Sequence, residues 1–144
     1  RGTFADLAND LGDRGETMTK LTTLLGSWAR RIAIGMAIFV LRRVLRSLVS
    51  EAKKRLQVAL DQQGPAAADK VIDGLQDRLT RLVEHLWLLP EETQDRFQRD
   101  IETEGNLLQG RLRMQIQSDA NQKALEELLD RAVLNVEELL QKLR

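Results

Sequence analysis

The chain has 144 residues, 22 basic and 22 acidic side chains, and no cysteine. That length suits one domain with a real core. Zero net charge gives no global bias toward nucleic acid, and the missing cysteines exclude disulfides and thiolate metal sites. The aromatic side chains are Trp28, Trp87, Phe4, Phe39 and Phe97, so the core must be mostly Leu, Ile, Val and Ala, as in packed amphipathic helices.

Phe4, Leu7, Ala8 and Leu11 have helical spacing and predict a short helix over 3–11, ended by Gly12, Asp13 and Gly15. Residues 1–20 lack the apolar h-region of a secretory signal. A long second helix is predicted over 18–62, roughly 65 Å if unbroken, with Gly26 and Gly35 as the places for a kink. Within it, Ile32–Leu41 is apolar on every side. Arg30 and Arg31 precede this block, Arg42 and Arg43 follow it, and Arg46 lies one turn on. Leu41, Leu45, Leu48, Ala52 and Leu56 then continue a single stripe.

Gly64–Pro65 breaks the chain, because proline suits the first turn of a new helix. Val71, Ile72, Leu75, Leu79, Leu82, Leu86 and Leu89 predict an amphipathic helix over 66–89. Pro90 restarts the chain, and a helix over 91–117 carries a thin apolar face with Glu104 and Gly105 in its middle. That thinness predicts a place on the outside, or burial supplied by another subunit. Ser118–Asp119 reads as a cap for a last helix over 119–143 with a dense leucine stripe. Five acid-before-base pairs, including Asp77/Arg81 and Glu138/Lys142, have the spacing for weak exposed support. The expected fold is all-α: one domain, a four- or five-helix bundle with a long, partly very apolar second helix.

Local charge bears most on function. Residues 21–60 carry eight Lys/Arg and one acid, whereas residues 61–144 carry eleven and seventeen. A greasy helix with cationic ends needs a lipid surface, an acidic partner or acidic helices of its own chain. A bilayer span takes about 20 apolar residues, and Ile32–Leu41 supplies ten. Extending the block either way would bury arginines. An isolated span is therefore disfavoured, and a helix lying in the interface fits.

Enzyme signatures are missing. His85 is the sole histidine and has Leu82 three residues before it, so no Glu-x-x-His pair exists. Acid pairs such as Asp69/Asp73 read as solvated faces. No phosphate loop, dinucleotide fingerprint, nucleophile elbow or zinc-protease motif occurs. No catalytic, cofactor or metal residue is assigned. The basic run Arg42–Arg55 lacks an aromatic platform, so nucleic acid is not expected as a partner.

The expected function is a non-enzymatic, membrane- or lipid-associated helical protein, favoured over a freely soluble one. Its contact would use Trp28, Ile32, Ile34, Met36, Ile38, Phe39 and Val40, with Arg30, Arg31, Arg42, Arg43 and Arg46 on anionic headgroups or an acidic partner. The alternative is a soluble scaffold or subunit whose apolar helix is core or an inter-subunit seam. Its partners would then be other helical proteins or a second copy.

Overall fold

Apolar side chains recurring every three to four residues must form helices to share one face, and they do so throughout. The computed structural model describes residues 16–143, with side chains from Gly26 onward. Over that range the fold is all-α, with four α-helices and no strand. The helix expected over 3–11 lies outside the described residues.

α1 runs from Glu16 to Val58, 43 residues without interruption. Gly26 and Gly35 do not break it. Ile38, Leu41, Leu45, Val49, Ala52 and Leu56 form its buried stripe. No residue from Gly26 to Ala37 is fully buried, although Ile34 and Ala37 pack against the core from that stretch.

A wide π-helical turn, Ala59–Gln63, ends α1. Gly64 then adopts φ 96° and ψ −177°, a region open essentially to glycine alone. Its N–H donates to the Ala59 carbonyl at 2.6 Å. Pro65 opens α2 (Pro65–Thr80), which buries Ala68, Ile72, Leu75 and Leu79.

The single helix expected over 66–89 is corrected here. After Thr80 the chain tightens into a 3-10 segment, Arg81–Leu86, which buries Leu82 and Leu86. Pro90 disfavours helical backbone at the residue before it, so the segment cannot run on as regular helix into the next element. α3 (Glu91–Ser118) buries Phe97, Ile101, Gly105, Leu108 and Leu112. Its face was expected to be too thin for the core, and the structure overturns that expectation. Gly105 is buried beside α2: a Cβ there would stand 3.5 Å from Gln76 Cδ, an ordinary van der Waals contact. Gln76 Nε2 in turn donates to Asn106 Oδ1.

α4 (Gln122–Gln141) buries Leu125, Leu129, Ala132, Val136 and Leu140. Its cap is Asn121 rather than Ser118–Asp119. The Asn121 side-chain oxygen accepts from the N–H groups of Lys123 and Ala124, satisfying two donors that the helix start leaves open.

α1 packs on α2 and α4, and α3 packs on the same two helices. Polar ladders give their directions. Arg46 pairs with Glu137 and Lys53 with Asp130, so α1 and α4 are antiparallel. Arg113 pairs with Asp69 and Asp73, and Gln109 donates to Asp73, so α2 and α3 are antiparallel too. Among the described residues the one ion pair at four-residue spacing is Glu51–Arg55. The five such pairs expected from sequence do not form.

Candidate functional site

One core-facing stripe leaves the opposite side of α1 free to be polar, as on an ordinary surface helix. Over residues 28–40 it is not polar. Trp28, Ile32, Met36, Phe39 and Val40 are all exposed. At 3.6 residues per turn they occupy an arc of about 120°, on the side of the helix away from Leu41 and Leu45. Trp28 is 65 % exposed and Phe39 60 %, values far from those of core aromatics.

The block between the arginines is therefore two-faced. Ile38 is 2 % exposed and belongs to the core, and Ile34 packs against the core partly buried. These two were expected at the contact surface. The helical period turns them roughly 100–160° away from Phe39 and Ile32.

A second element meets the exposed stripe. Trp87 and Leu88, just past the 3-10 segment, are 73 % and 57 % exposed. With Trp28, Ile32, Met36 and Val40 they line an open groove of about 670 Å³. Ala29, Ala33 and Ala37 lie along it at four-residue spacing. Glu84 and His85 complete the lining, and His85 is exposed as expected.

Trp87 and Leu88 were not singled out from the sequence. The available signal was the unbroken run Leu86–Trp87–Leu88–Leu89. Four consecutive apolar residues cannot all face one core from a helical turn. Leu86 and Leu89 go inward, and the middle two go out.

The five arginines divide. Arg30, Arg31 and Arg43 are exposed and take part in no ion pair among the described residues. The Arg43 guanidinium carbon stands 5.7 Å from the centroid of the Phe39 ring, within cation–π range. Arg42 and Arg46 instead converge on Glu137 of α4, at 3.7 Å and 3.3 Å. Arg42 Nε is buried and makes no hydrogen bond, so its contact with the carboxylate is purely charge on charge.

Among the described residues no three His, Asp or Glu side chains gather as a metal site, and no helix is long and apolar enough to cross a membrane. The chain matches no family model, no curated protein and no solved structure.

Proposed function

We propose that this is a non-enzymatic, membrane- or lipid-associated protein: a four-helix bundle that uses the outer face of α1 to lie on an anionic lipid surface without spanning it. The carrying observation is the exposed stripe Trp28, Ile32, Met36, Phe39 and Val40, set opposite the core. Contiguous apolar surface of this kind marks an interaction site. Fully burying each such side chain is worth about 1.5–3 kcal/mol, and each cation near an anionic leaflet adds about 1 kcal/mol. Apolar burial therefore dominates, and Arg30, Arg31 and Arg43 select the sign of the surface.

Flotation with vesicles of phosphatidylcholine and phosphatidylglycerol tests the proposal. The chain floats, and Ile32→Glu with Phe39→Glu abolishes flotation while the cooperative melt is kept, since both side chains are exposed. A wild-type chain that stays at the bottom of the gradient rejects it.

A second reading is supported by the Glu137 clamp on Arg42 and Arg46. Part of the basic cluster serves the chain's own acidic helices, as in a scaffold whose exposed stripe is covered by a helix of another protein or a second copy. Sedimentation without detergent separates the two: a discrete oligomer with shielded Trp28 fluorescence supports the scaffold.

A further inference from the structure

Both tryptophans of the chain, Trp28 and Trp87, are 59 residues apart in sequence and line the same groove. Each is exposed by more than half. A tryptophan is an amphipathic ring that favours the boundary between water and lipid. Leu88 and Met36 stand beside them, also more than half exposed. Glu84 is the one carboxylate on the lining. The exposed Arg30 and Arg31 follow Trp28 near one end of the stripe, and Arg43 lies one turn past Phe39 at the other.

From this convergence we infer that the bilayer contact has two points: the Trp87–Leu88 corner enters the headgroup–acyl boundary together with α1, and so sets the orientation of the whole bundle. The inference rests on the membrane reading and adds a second element to it. One helix alone leaves the bundle free to rotate about the α1 axis. A second anchor on the α2–α3 connection removes that freedom. It places α1 parallel to the surface, the groove face down and α4 turned away. The occupant is the anionic bilayer, because the exposed Arg30, Arg31 and Arg43 beside the α1 stripe make no ion pair among the described residues, and a flat amphipathic surface reaches both tryptophan rings at once.

Single-tryptophan variants test this. Trp28→Phe leaves Trp87 as the reporter, and Trp87→Phe leaves Trp28. With vesicles of phosphatidylcholine and phosphatidylglycerol containing bromolipid, both variants float and both reporters shift to the blue and are quenched. Trp87→Ser with Leu88→Ser weakens partitioning at least about tenfold, with an unchanged melt because both positions are exposed. If wild type floats while Trp87 stays unquenched and the double serine variant binds as well as wild type, the second anchor is wrong and the α1 reading stands. If wild type does not float, both are rejected. A soluble dimer that the double serine variant dissociates, with no flotation, gives the groove to a second copy instead.

Discussion

The Arg46 guanidinium reaches from α1 to within 3.3 Å of the Glu137 carboxylate on α4, and the same oxygen lies 3.7 Å from Arg42 Nε. One acid thus holds two of the five arginines that bracket the apolar block. Glu137 is 19 % exposed and Arg46 70 %, so solvent screens the pair from one side. Glu137→Gln is expected to cost about 0.5–1 kcal/mol, a fall in Tm of about 2–4 °C for a chain of this size. Repeating the melt in 1 M salt removes most of the difference. An equal loss at high salt assigns the effect to packing.

The two faces of the apolar block make opposite predictions for similar substitutions. Leu41 and Leu45 are buried to within 1 %, so Leu41→Ala or Leu45→Ala removes about 2–5 kcal/mol, transfer plus cavity. Met36→Ala and Phe39→Ala on the outer face change stability by less than about 0.5 kcal/mol. Chemical denaturation of the four variants measures this. A large loss at Phe39 would place the outer stripe in a core.

Much of this division is visible in the sequence, and where it fails the reasons are physical. Leu41, Leu45, Ala52 and Leu56 keep helical period against polar neighbours, so their burial is readable. Between Ile32 and Leu41 no polar residue marks the outer side, so the composition cannot say which side chains turn in. Ile38 and Phe39 are equally apolar and end in opposite environments. Gly105 is buried in the middle of α3, and a glycine adds nothing to a hydropathy pattern that would mark the position as core. Trp87 and Leu88 meet α1 only because the chain tightens after Thr80 and stops at Pro90. That juxtaposition is tertiary, and spacing within one helix does not encode it.

Two glycines differ in sign. Gly64 sits at φ 96°, where a Cβ is strained however much room surrounds it. Gly64→Ala is expected to destabilise by about 1–3 kcal/mol. Gly110 lies exposed in the interior of α3 with nothing within 4 Å of a built Cβ. Gly110→Ala is expected to stabilise by about 0.8–1 kcal/mol through helix propensity. Denaturant midpoints at unchanged m-value check both, and the same sign at the two positions contradicts the turn geometry.

Asn121 carries the start of α4. Its side-chain oxygen accepts from Lys123 N at 2.9 Å and Ala124 N at 3.4 Å. Asn121→Ala loses about 1 kcal/mol, whereas Asn121→Asp or Asn121→Ser keeps most of it. Ser118→Ala, at the position where the sequence predicts a cap, removes a hydroxyl that donates to the Gln115 carbonyl within α3 and is expected to be close to neutral. Comparing the melts of these variants separates the two cap assignments.

Salt gives the last prediction, because the two parts of the proposed lipid contact respond to it differently. Burial of Trp28, Ile32 and Phe39 is insensitive to ionic strength, whereas attraction of Arg30, Arg31 and Arg43 to a charged leaflet decays as the Debye length falls from about 10 Å at 0.1 M to about 3 Å at 1 M. Raising salt over that range should therefore weaken binding to anionic vesicles without abolishing it. At about 1 kcal/mol per cation, the triple variant Arg30→Gln, Arg31→Gln, Arg43→Gln loses about two orders of magnitude in affinity at low salt. At 1 M it converges with wild type. It also loses the preference for phosphatidylglycerol over phosphatidylcholine. Partitioning measured from tryptophan emission against lipid concentration gives all three results. If the triple variant and wild type keep the same salt slope, these arginines do not face the lipid, and the selectivity must lie elsewhere on the bundle.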